Sequence, residues 1–245
     1  MEVINGIDVS HYQGNIDWDQ VKDDPLDLKF AFYKVTEGNW FIDDQGENNL
    51  NGTKQINLSG SGYHFWRGQV SGKDQALYFM DHTEKREQYP VIDVEDVRIY
   101  SLLSSSSRDY YLNNIYEYVD TIYAKWNQPT ILYTAKWYWN RFGTQIPSWV
   151  RDCPLWVAHY KAWGDLSPYM PIGWNNWTIW QYSASGRVNG IGNSGTSVDM
   201  NIMLKSNLSK IVPNTTPTNT GELYQSLLIK LDEAKSLANE LYESL

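Results

Sequence analysis

Residues 89–96 read YPVIDVED, a short apolar run rich in β-branched side chains that ends in acidic residues. The stretches on either side, SGKDQALYFMDHTEKREQ (71–88) and SSRDYYLNNIYEYVDTIYAKW (106–126), have helical character. A strand-like run between two helical stretches is the alternation expected of βαβ units, in which helices join parallel strands. The centre of the chain therefore predicts an α/β fold.

Further apolar runs of similar length recur along the chain. They are VINGIDVS (3–10), LKFAFYKVTEG (28–38), GYHFW (62–66), PTILYT (129–134), PLWVAHY (154–160), WTIWQY (177–182) and SVDMNIM (197–203). Eight such runs favour a barrel, a domain that routinely occupies about 200 to 250 residues. After residue 129 the runs lie closer together and Gly, Pro and Trp accumulate, so loops or single turns are expected there. The prediction is an irregular (β/α)8-like, TIM-type barrel with a helix-poor second half.

The C-terminal part of the chain departs from this pattern. We predict a barrel domain over residues 1–205 and a linker over residues 206–221, which are polar and rich in Pro and Thr. Residues 222–245 place apolar side chains three and four residues apart, which predicts an amphipathic helix. Such a helix is marginal in water alone, so its apolar stripe needs a partner. We expect a homo-oligomer through residues 222–245; docking on the barrel or a connection to a further module are the alternatives.

Composition limits the kinds of partner that the chain is expected to bind. The formal net charge is −9 and no basic run occurs, so nucleic acid is not an expected partner. Neither a signal peptide nor a transmembrane span is visible, so no membrane insertion is predicted. The single cysteine, Cys153, is expected to be buried as a small hydrophobe. The four histidines lack the spacing of metal motifs, so neither a metal nor a cofactor is expected.

Two other motif searches point away from familiar enzyme classes. Residues 190–195 satisfy G-x-G-x-x-G, but they precede a strand-like run instead of a helix, so we interpret them as a turn. No G-x-S-x-G sequence occurs, which leaves a serine hydrolase with little support.

Acidic residues at the ends of the strand-like runs carry the strongest chemical signal. Asp93 and Glu95 are two residues apart, and alternate strand residues project to the same face. Asp8 and Asp199 belong to the first and last runs, which become neighbours when a sheet closes. Clustered carboxyls raise each other's proton affinity, which keeps one of them protonated for acid catalysis. The alternative is that these acidic residues lie exposed to solvent at strand ends and have no catalytic role.

Aromatic residues make up 15% of the chain and offer flat apolar faces that suit sugar rings. Many are expected in the core. Tyr133, Trp137, Tyr160 and Trp180 stand at predicted strand ends and are the better candidates for sugar contact. His64 also stands at a strand end and is expected to line the cleft.

Several ordered motifs over residues 4–203 resemble glycoside hydrolase family 25, the muramidases of bacterial autolysins, phage endolysins and some fungi. The motifs are GIDVSHYQG (6–14) with IDW (16–18), YKVTEG (33–38), YHF (63–65), DVE (93–95), LWVA (155–158), WQY (180–182) and VDMN (198–201). Together they are far more specific than any one alone.

The resemblance implies an irregular barrel that cleaves the β-1,4 bond from N-acetylmuramic acid to N-acetylglucosamine. It implies Glu95 as the general acid/base and Asp93 as its partner, with Asp8 and Asp199 shaping the charge of the site. It also implies that the substrate acetamide attacks the anomeric carbon while Asp93 orients it, in preference to direct attack or inversion. The implied substrate contacts are Tyr63, Tyr133 and Gln181.

Peptidoglycan glycan strands are accordingly the expected partner. With no visible export signal, the chain is expected to act as a phage endolysin that stays in the host cytoplasm until a holin-made pore releases it to the wall; a secreted autolysin is the alternative. A non-catalytic glycan-binding protein is a second hypothesis of function. A chitinase-like barrel is a third, but such barrels normally place an Asp two residues before the D-x-E, where this chain has Val91.

Overall fold

A computed structural model describes residues 2–86, 88–104, 106–161, 164–192 and 196–210. All eight predicted runs form strands. The strands are β1 (Val3–Val9), β2 (Leu28–Glu37), β3 (Phe41–Ile42), β4 (Ser59–Phe65), β5 (Val91–Asp93), β6 (Ile131–Ala135), β7 (Leu155–Ala158), β8 (Ile179–Gly186) and β9 (Val198–Leu204).

Eight of these strands close into a barrel, which confirms the predicted fold class. The sheet runs β1-β9-β8-β7-β6-β5-β4-β2, and β1 also pairs with β2, while the two-residue β3 adds to β2 outside the ring. From β1 to β8 the barrel strands pair in parallel. The last strand, β9, is antiparallel to both of its neighbours, β8 and β1. The first and last strands are therefore adjacent, as the barrel prediction required.

Helices concentrate in the first half of the chain. They are α1 (Trp18–Lys22), α2 (Gly46–Gln55), α3 (Gly72–Asp81), α4 (Arg108–Trp126) and α5 (Lys136–Trp139). After β6 the described residues contain only the four-residue α5 and short 3-10 helices, which confirms the helix-poor second half. The sequence did not predict α2, because its buried positions are Gly46, Asn49, Gly52 and Thr53 and carry no apolar period.

The longest helix, α4, packs against α3 and fixes the segment that follows β4. A Cβ on Gly72 of α3 would lie 1.8 Å from the carbonyl oxygen of Asn114 in α4, so only glycine permits this approach. The Asn114 amide accepts a hydrogen bond from Trp66 Nε1 at 2.8 Å and donates one to the Val70 carbonyl at 2.8 Å. Both ends of the segment 66–70 are thereby tied to the helix layer.

The core has two layers because strand residues alternate between the barrel interior and the helix side. The larger layer lies between the barrel and its helices and includes Cys153, which is buried as predicted. The smaller layer fills the barrel interior with Phe30, Phe32, Val91, Ile131, Tyr133, Trp156, Ile179 and Met203. These apolar side chains form the floor beneath the polar residues at the carboxyl ends of the strands.

The described part of the barrel continues slightly beyond the predicted boundary at Lys205. Residues Lys205–Lys210 form a 3-10 helix, and the buried Asn207 donates hydrogen bonds to the carbonyls of Trp177 at 3.3 Å and Thr178 at 3.4 Å. The remainder of the predicted linker and the helix predicted over residues 222–245 lie outside the described residues. Among the residues described, no helix has the length and apolar character needed to cross a membrane.

Candidate active site

The candidate site is a cavity of about 90 Å³ at the carboxyl ends of the parallel strands, the end at which barrel enzymes carry their active sites. Three of the four predicted acids line this cavity. Tyr63, Tyr133 and Gln181, the substrate contacts that the family resemblance implied, line it as well. The lining residues are Asp8, Tyr63, Val91, Asp93, Tyr133, Trp156, Gln181 and Asp199.

Asp8 and Asp199 form an acid pair across the seam of the barrel. They face each other in the antiparallel register of β1 and β9, and they are hydrogen-bonded to one another. Burial and the charge of Asp199 raise the pKa of Asp8 to about 8, and burial also raises the pKa of Asp199. The Asp8 Oδ2 atom accepts hydrogen bonds from Gln181 Nε2 at 2.9 Å and Asn201 Nδ2 at 2.7 Å. The pair therefore retains a proton at pH values at which an isolated aspartate has lost it.

Asp93 and Glu95 form a second acid pair where β5 ends. The strand stops at Asp93, so Glu95 lies in the following loop and not on the strand face that the spacing predicted. The two carboxyls nevertheless interact: burial and the charge of Glu95 raise the pKa of Asp93 well above its usual range. Burial raises the pKa of Glu95 to about 7, against an opposing hydrogen bond from the backbone N–H of Ala135.

Each carboxyl of this second pair has one buried oxygen without a hydrogen bond from the described residues. Asp93 Oδ1 and Glu95 Oε1 are buried, and no residue in the described part of the chain donates a hydrogen bond to them. Leaving a buried acceptor without a partner costs free energy, on the order of 1–3 kcal/mol. Two such atoms in one site therefore indicate that a bound molecule supplies the missing hydrogen bonds.

The amide of Gln181 is oriented by a chain of hydrogen bonds. Tyr133 and Tyr160 donate through their hydroxyls to Gln181 Oε1 at 2.8 Å and 3.1 Å, which directs the Nε2 group toward Asp8. On the other side of Asp8, Trp156 Nε1 donates to Asn201 Oδ1 at 2.8 Å. Trp156 and Asn201 occur in the quoted motifs but were not predicted as site residues.

Two predicted site residues, His64 and Trp180, are fully buried away from the cavity, so their predictions are wrong. His64 has no exposed surface; its ring nitrogens contact Thr36 Oγ1 at 2.8 Å and Gln75 Oε1 at 3.1 Å, and burial lowers its pKa to about 4. Trp180 is also fully buried and donates to the His159 carbonyl at 2.7 Å. Both side chains point to the helix side of the barrel, whereas their neighbours in sequence, Tyr63 and Gln181, point inward.

Large aromatic side chains stand exposed where the strands end. The predicted residues Trp137 and Tyr160 are 54% and 59% exposed, and Tyr160 reaches the cavity through Gln181. Trp137 packs against Tyr100, with ring centres 5.5 Å apart, and its role in substrate contact stays a prediction. Tyr12 and Trp40, which follow β1 and β2, are also exposed and were not predicted. The signal that could have found them is the same one, an aromatic residue just after a strand-like run.

A network of ion pairs beside Asp93 was also missed. Arg67 contacts Asp96 Oδ1 at 2.7 Å through Nη1 and Glu37 Oε1 at 2.9 Å through Nε. Lys34 Nζ contacts Glu37 Oε2 at 2.8 Å. Burial acts to raise the pKa of Glu37, but hydrogen bonds and charge from Lys34 and Arg67 hold it below its usual value. The charges of the same two cations oppose the rise in the pKa of Asp93.

Within the described residues, no group of three or more His, Cys, Asp or Glu side chains could hold a metal ion.

Known proteins match most of the chain in sequence. The sequence profile of the glycosyl hydrolases family 25 covers residues 7–191. Lysozyme M1 of Streptomyces globisporus is 33% identical over 198 residues, which are 77% of this chain and 64% of that relative. This chain therefore spans slightly less than two thirds of the length of that lysozyme.

Solved structures agree with the sequence comparison. The bacterial lysozyme from Streptomyces coelicolor aligns with a TM-score of 0.67 and 31% identity over 81% of this chain and 90% of that chain. The family GH25 lysozyme from Aspergillus fumigatus has a TM-score of 0.72, covers 86% of this chain and 99% of that one, and at 22% identity supports the fold alone. The prediction of the family is confirmed: the chain belongs to glycosyl hydrolase family 25.

Proposed function

We propose that this chain is a muramidase that hydrolyses the β-1,4 bond between N-acetylmuramic acid and N-acetylglucosamine in bacterial peptidoglycan. The observation that carries the proposal is the pair Asp93 and Glu95 at the cavity, two interacting carboxyls that each keep a buried oxygen without a partner. Glycosidases use two carboxyls in this way, one to move a proton and one to assist at the anomeric carbon.

Glu95 is the general acid/base of the proposed reaction. Its pKa of about 7 leaves a substantial protonated fraction at neutral pH, which the ordinary pKa of a glutamic acid does not. The Glu95 carboxyl donates its proton to the glycosidic oxygen as the bond to the anomeric carbon breaks. The resulting carboxylate then accepts a proton from the water that attacks the anomeric carbon, which restores the starting state.

Asp93 assists at the anomeric carbon. We favour attack by the carbonyl oxygen of the substrate's own acetamide group, with Asp93 accepting a hydrogen bond from the acetamide N–H and stabilising the positive charge that develops. Direct attack by Asp93 and inversion by water are the alternatives. Acetamide attack retains the configuration of the new reducing end, so NMR of the first product would exclude it if the inverted anomer formed first.

The remaining predicted residues bind substrate or shape the charge of the site. Tyr63, Tyr133 and Gln181 line the cavity and have the hydroxyl and amide groups that sugars bind. Asp8 holds the Gln181 and Asn201 amides in place. The pair Asp8 and Asp199 adds negative charge, which favours an oxocarbenium-like transition state. Tyr160 and Trp137 are proposed to contact sugars farther along the glycan chain.

The test is digestion of purified Gram-positive peptidoglycan followed by borohydride reduction of the new sugar ends. The parent chain should yield muramitol, and Glu95→Gln should not. Glu117→Gln, which removes an exposed carboxylate on α4, is the matched control and should behave as the parent. Glucosaminitol in place of muramitol would mean that the other glycosidic bond is cut. Wall binding without new reducing ends would favour the non-catalytic glycan-binding protein.

Two wider roles remain predictions with their own tests. Self-association through residues 222–245 is tested by sedimentation of the chain with and without that segment, and an unchanged monomer mass would exclude it.

The endolysin role is tested by producing the chain inside bacteria with and without a holin. Lysis that depends on the holin would support release through a pore, and lysis without it would exclude that route.

A further inference from the structure

A second cavity, of about 490 Å³, lies at the amino ends of strands β5 to β8 and is called the basal cavity. It is lined by Tyr89 before β5, Pro129 before β6, residues 151–155 at the start of β7 and residues 173–178 before β8. The catalytic cavity lies at the carboxyl ends of the same parallel strands, so the two are at opposite ends of the barrel. The volume is within the range of about 300 to 1,000 Å³ that is typical of ligand pockets. The proposed reaction makes no use of this cavity.

Aromatic rings form one wall of the basal cavity. Trp174 is 9% exposed, and its indole N–H donates to the Cys153 carbonyl at 2.9 Å, which fixes the ring. Trp177 is partly buried and packs edge-on against Trp180, with ring centres 6.2 Å apart. Tyr89 is also partly buried. Rings that are held in place and still reach a cavity offer flat apolar faces on which a sugar ring can stack.

Hydrogen bonds fix the backbone that carries Trp177. The buried side chain of Asn207 donates to the carbonyls of Trp177 at 3.3 Å and Thr178 at 3.4 Å. The backbone N–H of Thr178 donates to the Leu155 carbonyl at 2.8 Å. Because this wall is already ordered, little conformational entropy is lost when a ligand binds to it.

Four polar side chains at the basal cavity keep their hydrogen-bonding groups available. They are Arg151, Asp152, Asn175 and Asn176, all exposed. Within the described part of the chain, none of the four has a side-chain hydrogen bond or ion pair. Arg151 and Asp152 carry opposite charges, and the other two side chains are neutral amides. A neutral set of donors and acceptors beside aromatic faces suits a ligand that has many hydroxyls and no net charge.

A third cavity, of about 360 Å³ at the amino ends of β4 and β5, differs in both respects. Its charged side chains already have partners: Glu84 contacts Lys54 Nζ at 3.1 Å and Arg86 Nη1 at 3.5 Å, and Lys85 Nζ donates to the Trp126 carbonyl at 2.5 Å. Among the described residues, no aromatic side chain lines it. Rings and available polar groups therefore occur together in the basal cavity but not in this one.

We propose that the basal cavity binds a neutral pyranose sugar, which stacks on Trp177 and accepts and donates hydrogen bonds at Asn175 and Asn176. The source of that sugar is the N-acetylglucosamine of the glycan strand, a choice that rests on the proposed function, whereas binding of a neutral sugar does not. The barrel thus holds the wall polymer at one end and cuts it at the other. Two sites on one chain strengthen retention on a polymer that repeats the same sugar.

The first test follows the indole N–H signals of the full chain by nitrogen NMR. The Glu95→Gln variant is used so that the sugar is not hydrolysed, and Trp177→Phe assigns the Trp177 signal. The probe is the soluble tetramer of β-1,4-linked N-acetylglucosamine, and glycerol at the same hydroxyl concentration is the control without a ring face. We expect the Trp177 signal to shift and saturate with the tetramer and to stay in place with glycerol. An unmoved Trp177 signal, or an equal shift with glycerol, would overturn the proposal.

The second test measures retention on insoluble wall by pelleting with purified peptidoglycan. Trp177→Ala removes the stacking face and should weaken retention about tenfold. Tyr123→Ala, which removes an exposed ring on α4, is the matched control and should be retained as the parent is. Asn176→Ala should weaken retention about fivefold, because one hydrogen bond is lost. Parent-like retention of Trp177→Ala would exclude the wall glycan as the ligand. If Trp177→Ala does not fold, Asn176→Ala decides, since its side chain is exposed.

Both readouts are independent of catalysis. If the parent releases no muramitol, the proposed function fails, yet the titration with the tetramer still shows whether a sugar binds at Trp177. If muramitol is released while the Trp177 signal does not move, this inference fails and the proposed function stands.

Discussion

The barrel rim contains two acid pairs that differ in how completely the protein satisfies them. In the pair Asp8 and Asp199, both pKa values are raised, and Asp8 accepts hydrogen bonds from the Gln181 and Asn201 amides. The pair Asp93 and Glu95 keeps one buried oxygen on each carboxyl without a donor from the described residues. Burial raises the pKa of acids in both pairs, so an altered pKa alone does not distinguish a catalytic acid from a supporting one. Among the four acids of this rim, only Asp93 and Glu95 have a buried oxygen that lacks a donor from the described residues.

The largest expected effect is at Glu95. Glu95→Gln removes the proton donor while keeping the size of the side chain, so the rate of muramitol release should fall by about 10²- to 10⁴-fold. Binding to insoluble wall should remain, as measured by pelleting the protein with peptidoglycan. A variant that keeps more than about a tenth of the parent rate would mean that Glu95 is not the acid.

The second effect concerns pH. If Glu95 must be protonated to act, a pKa of about 7 predicts that activity falls above pH 7, by about tenfold for each further pH unit. The measurement is kcat/KM for soluble wall fragments across the pH range at constant ionic strength. A rate that stays level to pH 9 would show that the acid is another group.

The third effect concerns stability and tests the pair Asp8 and Asp199. The folded protein binds the Asp8 proton up to a pKa of about 8, whereas an unfolded aspartate releases it near pH 4. Between those values the native state holds the extra proton, so Asp8 makes the parent less stable as pH rises from about 4 to 8. Asp8→Asn resembles the protonated acid and can keep the same hydrogen bonds.

Asp8→Asn should therefore be more stable than the parent at pH 8, by on the order of a few kcal/mol, and the gain should vanish near pH 4. Urea unfolding at both pH values measures it. A variant that is less stable than the parent at pH 8 would contradict the raised pKa of Asp8.

The smallest effect is expected at Tyr160. Tyr160→Phe removes one of the two hydroxyls that orient Gln181, and the hydroxyl of Tyr133 remains at 2.8 Å. A rise in KM of a few fold with little change in kcat is expected, because one hydrogen bond contributes about 1 kcal/mol. Tyr123→Phe, at an exposed position on α4, is the matched control. An equal loss in both variants would remove Tyr160 from the site.

Much of the fold was predictable because its signals are local. Each of the eight apolar runs became a strand, and α3 and α4 formed where helical character was visible. The helix α2 was missed because it packs through glycine and polar residues; a Cβ on Gly52 would lie 1.9 Å from Trp18. Such packing depends on a partner about thirty positions away, which no short window of sequence contains.

The sequence predicted which segments contribute to the site, but not which of their side chains point into the cavity. The errors at His64 and Trp180 are shifts of one position from Tyr63 and Gln181, which face the cavity. Strands buried on both faces are apolar throughout, so the sequence contains no alternation that tells the inward face from the outward one.

By itself, the sequence determined the eight barrel strands, the family and the acids that stand where strands end, because each of these is encoded within a few adjacent residues. Only the tertiary structure decided which side chains turn inward, which carboxyl oxygens stay unfilled, and that Arg67 joins Glu37 to Asp96 beside Asp93. Those features depend on the register in which β1 meets β9 and β4 meets β5, and so on contacts between residues far apart in the chain.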